Sequence, residues 1–169
     1  MGGAIRILGL DPGLGRMGWG VIDMAGTRLT HVAHGVLTSN AKLELALRLM
    51  ALHAALSEVI AEHRPIAISV EQAFVAKDPN AALKLGHARA VALLAAAQAG
   101  LEIAEYAPNH IKKCVVGVGH AGKEQVMAMV KRLLPTAGVE AADAADALAA
   151  AITHAHLSGT RAKILAALA

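Results

Sequence analysis

Residues 4–38 carry the hydrophobic pattern of a β-meander. A mostly apolar run over residues 4–10 ends at Asp11, and a turn rich in glycine follows it. A second apolar run lies around residues 19–22, and residues 28–38 alternate in part between apolar and polar positions. Short runs of this kind, separated by Gly and Pro turns, are typical of strands. The pattern predicts three antiparallel strands, with Asp11 at the carboxyl end of the first.

The pattern changes to helical spacing after residue 43. Apolar residues recur every three or four positions up to residue 62, and this predicts an amphipathic helix that Pro65 ends. A short run of β-forming residues, 66–70, then leads into Glu71. The order strand, helix, strand favours a parallel crossover. Asp11 and Glu71 are therefore expected to lie on neighbouring parallel strands.

The rest of the chain is predicted to hold one more strand among several helices. Asn80 is the expected N-cap of an Ala-rich helix that runs to about residue 99, and residues 101–105 are the expected strand. A short helix is expected to begin at Pro108. Two more helices are predicted at about residues 123–134 and 141–157, giving an α/β fold with interspersed strands and helices.

The composition fits one domain packed by small and aliphatic side chains. Hydrophobic residues make up 56% of the 169, but only one Phe, one Trp and one Tyr are present. No stretch approaches the roughly 20 apolar residues of a membrane-spanning helix, and Asp11 follows the start too soon for a signal peptide. Cys114 is the sole cysteine, which excludes an internal disulfide. These features predict a cytoplasmic location.

Four carboxylates stand in apolar surroundings. Asp11 and Glu71 end apolar strands, while Asp143 and Asp146 are three residues apart and share a helix face. A buried carboxylate without a partner is costly and usually shifts its pKa or binds a cation. Turn formation would also explain Asp11, and the helix dipole would also explain Asp143, but Glu71 has no local turn role.

Carboxylate oxygens are the ligands that Mg²⁺ prefers, and a pair of such ions suits in-line phosphodiester hydrolysis. The set of four acids therefore favours a metal-dependent phosphodiesterase.

Basic residues cluster after Glu71 and before Asp143, on a chain of net charge +3. They are Lys77, Lys84, Arg89, Lys112, Lys113 and Lys123. This distribution favours a polyanion near the carboxylates, although an ordinary solvated surface has the same pattern. Phe74 lies in the same region, where a lone aromatic either plugs an apolar site or stacks on bases. The residues alone leave both alternatives open.

These motifs together resemble the RuvC family, the bacterial crossover junction endodeoxyribonucleases. The segments that carry the resemblance are Leu10–Gly13, Gly18–Val21, Val70–Phe74, Ala82–Gly86, Glu105–Tyr106, Val115–Gly117, Ala142–Leu148 and Ile152–His154. The similarity runs from about residue 5 to 158. It implies a nuclease domain over residues 1–158 and a short C-terminal tail over residues 159–169.

The resemblance implies an RNase H-like fold, with a five-stranded mixed sheet flanked by helices. It also implies a homodimer that resolves four-way Holliday junctions by paired symmetric nicks and leaves 5′-phosphate ends. The biological setting would be homologous recombination and DNA repair. A RuvA-RuvB branch-migration complex would be the protein partner.

Roles for individual residues follow from the same resemblance. The catalytic, metal-binding residues would be Asp11, Glu71, Asp143 and Asp146, which would hold two Mg²⁺ ions, with Mn²⁺ as a substitute. Phe74 would stack on bases near the crossover, and Lys112 and Lys123 would lie near the scissile strand. Lys84 and Arg89 would contact the DNA backbone, which fixes position rather than reading sequence.

Two other functions compete with this interpretation. An Asp-Pro-Gly turn after a first strand also resembles the opening of actin-like ATPases and sugar kinases, but 169 residues are too few for the second lobe that encloses their nucleotide. The other is a non-catalytic junction-binding protein with vestigial carboxylates. ATP turnover would favour the first of these, and tight junction binding without nicks would favour the second.

Overall fold

A five-stranded mixed sheet lies at the centre of the structure, a computed structural model that describes residues 3–72 and 78–168, with side chains as far as residue 159. The strands are β1 (Ile5–Asp11), β2 (Arg16–Ala25), β3 (Arg28–Thr38), β4 (Ala67–Glu71) and β5 (Glu102–Tyr106). Their order across the sheet is β3-β2-β1-β4-β5. The first three strands pair antiparallel, and β1, β4 and β5 run parallel. The predicted meander and the predicted crossover are both confirmed.

Helices cover both faces of this sheet. They are α1 (Leu45–His63), α2 (Pro79–Gln98), α3 (Pro108–Val116), α4 (Lys123–Leu133) and α5 (Ala142–Leu168). Side chains alternate between faces along a strand, so Ile7 packs in one core with α3, α4 and α5, whereas Leu8 packs in the other with α1 and α2. None of the helices in the described part of the chain has the length and apolar surface that a membrane crossing needs.

Helix α5 lies directly on the sheet because the strands carry glycine where it crosses. A Cβ atom on Gly9 would come within 1.9 Å of the carbonyl oxygen of Ala147, and one on Gly18 would come within 1.9 Å of that of Asp143. The buried hydroxyl of Ser69 donates to the carbonyl of Ala150 at 2.8 Å. These contacts hold the beginning of α5 against β1 and β2, and its middle against β4.

Two predicted helix ends differ from the structure. The N-cap of α2 is Asp78, not Asn80: the Asp78 carboxylate accepts the backbone N–H of Asn80 at 3.0 Å, and Pro79 occupies the first helical position, where its fixed φ fits. Helix α5 continues past residue 157 to Leu168, since residues 161–168 are mostly good helix formers. The boundary between a domain ending at residue 158 and a tail stays a prediction.

Candidate active site

The ends of β1 and β4 bring Asp11 and Glu71 together. Leu10 and Val70 are register partners in the parallel β1–β4 pair, so the two acids that follow them are neighbours at one edge of the sheet. Asp11 lies two positions past Gly9, and Glu71 two positions past Ser69. Because Gly9 and Ser69 both contact α5, the two carboxylates also face α5.

Asp143 and Asp146 lie on the first turns of α5, above these strand ends. The backbone of Gly18 lies directly against the carbonyl of Asp143, and this contact fixes the start of the helix against β2. Asp146 follows one turn later on the same helix face. Its pKa is raised by burial and also by the charge of Asp143.

Burial and mutual repulsion change the acidity of the cluster. Burial first, then the charge and hydrogen bond of Glu71, raise the pKa of Asp11 from 3.8 to about 8, and Asp146 and Asp143 add to the effect. The pKa of Glu71 is raised by burial, and the charge of Asp146 raises it further. In the metal-free protein, Asp11 is therefore the acid that holds a proton at neutral pH, and it donates that proton to Glu71.

Two lysines lie close enough to the carboxylates for their charges to act on them. Lys112 is in α3 and Lys123 begins α4, so both stand on the α5 side of the sheet. Their charges lower the pKa of Glu71 and of Asp146, opposing the effect of burial. The structure therefore brings the four carboxylates and these two cations into one cluster. A DNA contact by either lysine stays a prediction.

The other predicted DNA contacts do not join this cluster. Lys84 and Arg89 belong to α2, which packs on the opposite face of the sheet. Lys84 is exposed, whereas the guanidinium of Arg89 donates to Glu105 on β5 at 2.6 Å from Nε. Phe74 lies outside the described residues.

Arg16 is a member of the site that the sequence reasoning did not single out. Its Nε donates to Oδ2 of Asp143 at 2.7 Å. The signal for it was weak: Arg16 is a basic residue in the glycine-rich turn that follows Asp11, at the first position of β2. Its partner stands 127 residues away in the chain.

The donor set fits a hard divalent cation. Within residues 3–72 and 78–168, no three His, Cys, Asp or Glu side chains lie close enough together to chelate an ion in their present arrangement. Asp143 is directed to Arg16, and Asp11 to Glu71. Nevertheless, the four carboxylates lie together and partly buried, and the charges of the other three raise the pKa of Asp11. Their oxygens are the kind of ligand that Mg²⁺ or Ca²⁺ prefers.

Comparison with known proteins identifies the family. Residues 7–154 match the family model of Crossover junction endodeoxyribonuclease RuvC. The chain is 59% identical over 165 residues to the protein of that name from Parvibaculum lavamentivorans, covering 98% of this chain and 94% of the relative. It is 60% identical over 155 residues to that from Methylorubrum populi, covering 92% and 82%.

Solved structures agree with these sequence matches. T. thermophilus RuvC in complex with Holliday junction substrate superposes with a TM-score of 0.86 at 32% identity, covering 93% of this chain and 96% of that one. The yeast mitochondrial Holliday junction resolvase Ydc2, at 12% identity and a TM-score of 0.67 over 95% and 84% of the two chains, shares the fold. The predicted RNase H-like fold is confirmed. The chain therefore belongs to the RuvC family of crossover junction endodeoxyribonucleases.

Proposed function

We propose that this chain is a structure-selective endonuclease that resolves Holliday junctions by paired symmetric nicks, in homologous recombination and DNA repair. The observation that carries the proposal is the meeting of Asp11 and Glu71 with Asp143 and Asp146 at one edge of the sheet. The relatives and the T. thermophilus complex support junction DNA as the substrate.

Nucleases of this family use divalent metal ions. We assign two Mg²⁺ ions, replaceable by Mn²⁺, to the four carboxylates Asp11, Glu71, Asp143 and Asp146. The chemistry that such ions supply is activation of the attacking water and stabilisation of charge on the leaving 3′ oxygen, which leaves 5′-phosphate ends.

The protein side chains prepare the site for this chemistry. Asp11 must release its proton before it serves as a ligand, because its pKa is raised to about 8 by burial and by its acidic neighbours. Lys112 and Lys123 act in the opposite direction on Glu71 and Asp146 and favour their ionised forms. The same ammonium groups would attract a backbone phosphate to the carboxylates.

Further DNA contacts follow from the family resemblance. We assign a phosphate contact to Lys84, which is exposed on α2, and base stacking near the crossover to Phe74. Arg89 would contact DNA only after leaving Glu105. Phosphate contacts of this kind position the protein on the junction, and the carboxylates then select the bond that is cut.

Two nicks on opposed strands require two active sites, so we propose that the working form is a homodimer. A groove of about 430 Å³ between α1 and α2 supports this assignment. Its lining includes Leu49, Met50, Val91 and Leu94, of which Met50 is 64% and Leu94 53% exposed. A second copy seated on this face would remove that apolar surface from water. Work alongside a RuvA-RuvB complex is also part of the proposal.

The test compares nicking of a synthetic four-way junction and of a linear duplex of the same sequence, each with Mg²⁺ or EDTA. We expect symmetric nicks that occur only in the junction and only with metal. Asp11→Asn and Glu71→Gln should slow nicking by at least about a hundredfold, since even indirect support of a metal ligand is worth about 10- to 100-fold. Both variants should still bind the junction, because the phosphate contacts remain.

Glu140→Gln is the matched control, because it neutralises an exposed acid just before α5 and should nick at the parental rate. Equal nicking by Asp11→Asn and the parent would remove the assignment. Tight junction binding without nicks would favour the non-catalytic alternative. ATP turnover without junction binding would favour the ATPase-like alternative.

A further inference from the structure

Arg16 holds one of the four carboxylates directly. The Nε–Oδ2 distance to Asp143 is 2.7 Å, and the side chains of Arg16 and Asp143 are 58% and 34% exposed. Within the described residues, Arg16 is the only Lys, Arg or His side chain within 4.0 Å of any of the four acids. Lys112 and Lys123 act on Glu71 and Asp146 from a greater distance.

The backbone determines where Arg16 points. Arg16 and Gly18 are two positions apart on β2 and so share one face of the sheet. Gly18 lies against the carbonyl of Asp143. The guanidinium of Arg16 is therefore directed to the first turn of α5, beside the edge where Asp11 and Glu71 end their strands.

A guanidinium in this position conflicts with a divalent cation. It is charged at every relevant pH, so it repels a cation that binds the same carboxylate. It also occupies an oxygen that would otherwise be a ligand. Because more than half of the Arg16 side chain and about a third of the Asp143 side chain are exposed, the net contribution of the pair is small, and a cation can displace Arg16.

A displaced Arg16 has a natural new partner. Its planar N–H fork matches a phosphate as well as it matches a carboxylate. A DNA strand cut at this site would bring a backbone phosphate to the carboxylates, next to β2. We infer that Arg16 is a positioning residue that competes with the metal ion for Asp143 and exchanges this carboxylate for a backbone phosphate when the strand binds.

This inference rests on the proposed function and adds a coupling to it. If the strand draws Arg16 away, DNA frees a ligand for the metal, and the metal in turn frees Arg16 for DNA. Metal and DNA should therefore each tighten the binding of the other by the same factor.

The test measures Ca²⁺ binding by calorimetry, first to the chain alone and then to the chain saturated with a four-way junction, with a gel of the same samples to verify intact strands. Arg16→Gln should bind Ca²⁺ alone about two- to fivefold more tightly than the parent, as expected for loss of an exposed ion pair. The factor by which the junction increases the Ca²⁺ affinity should be smaller in this variant than in the parent. The slope of its junction affinity against salt should fall by about one phosphate contact.

Arg28→Gln is the matched control. It removes the same charge from an exposed arginine that is paired with the far end of β2, about 30 Å from Arg16 by the strand rise. It should keep the parental Ca²⁺ affinity and coupling.

Equal or weaker Ca²⁺ binding by Arg16→Gln would overturn the competition, and an unchanged salt slope would overturn the exchange for phosphate. The proposed function fails separately: a parent that binds Ca²⁺ no better than Asp11→Asn would overturn the metal site, and the inference with it.

Discussion

Asp11 makes the metal-free protein sensitive to pH. Burial and the neighbouring acids raise its pKa from 3.8 to about 8 in the folded state, while the unfolded chain has the ordinary value. Between these two values the folded protein holds a proton that the unfolded chain has lost. The stability of the fold therefore falls as the pH rises from about 4 to about 8.

Asp11→Asn should remove this part of the pH dependence. In EDTA, the free energy of unfolding of the parent should decrease more steeply between pH 5 and pH 8 than that of the variant, because the amide that replaces the carboxyl group has no proton to lose. Urea denaturation at several pH values across this range measures both curves. Glu140→Gln, in which only an exposed acid is lost, should follow the parent. Parallel curves for the parent and Asp11→Asn would contradict the assignment of the raised pKa to Asp11.

The sequence was sufficient to predict that the four acids lie together. It was insufficient to predict the ion pairs of Arg16 and Arg89. Asp11 and Glu71 end apolar strands, and strand order places such ends together. Asp143 and Asp146 share a face by spacing alone. By contrast, the partner of Arg16 is 127 residues away and that of Arg89 is on the next strand, so tertiary packing selects both pairs.

At the scale of elements, the placement of α5 decides whether the site forms. This helix supplies two of the four acids, and at Gly9 and Gly18 its backbone carbonyls lie directly against the strands. Even a single added methyl group at the contact must displace the helix or the strand.

Gly18→Ala should therefore lower both stability and nicking. The new Cβ would lie 1.9 Å from the carbonyl oxygen of Asp143, and overpacking of this kind costs about 1–3 kcal/mol or more in the free energy of unfolding. Urea denaturation measures this loss. Nicking should be measured at saturating Mg²⁺ and at a temperature well below that at which the variant unfolds. It should also be slower, because Asp143 is displaced from Asp11 at the end of β1.

Gly86→Ala is the control, because it adds the same methyl group at a position where there is room for it. Its Cβ would meet nothing within 4 Å on α2, so the variant should be as stable as the parent or up to about 1 kcal/mol more stable, as for Gly to Ala in any helix. Equal stability of Gly18→Ala and the parent would show that the close contact of α5 with β2 is not required.

Element types could be predicted from periodicity, but element ends depended on finer chemistry. Asp78 and Asn80 are both good N-caps, and only the hydrogen bond between them reveals that Asp78 is the cap and that Pro79 is the first helical residue. The predicted end of α5 at about residue 157 is too early: Ser158 and Gly159 favour a turn, but the helix continues through them to Leu168.

On the scale of the whole molecule, the two faces of the sheet carry different functional surfaces. The α5 face carries the carboxylates with Lys112 and Lys123, and the other face carries the apolar groove between α1 and α2. Sequence periodicity predicted that α1 has an apolar face. It did not predict the groove, since the surplus of apolar surface appears only when α1 and α2 pack side by side.

Met50→Glu should weaken self-association. A carboxylate placed in this mostly apolar groove would lose its hydration in the proposed dimer, which should raise the dimer dissociation constant at least about tenfold. Sedimentation velocity over a concentration series measures this constant. Ile66→Glu is the control, because Ile66 is 60% exposed, much like Met50 at 64%, but lies outside the groove. A monomeric parent, or equal dimerisation of both variants, would place the interface elsewhere.

The length of α5 has a practical consequence for labelling. The helix begins at the site and continues to Leu168, so its far end lies about 40 Å from Asp143 at about 1.5 Å per residue. A fluorophore or affinity tag attached after residue 168 is thus carried well clear of the carboxylates. In a dimer, the distance between two such labels would depend on how the two α5 helices are oriented. Because each helix begins at an active site, this distance would constrain how the two active sites are placed on one junction.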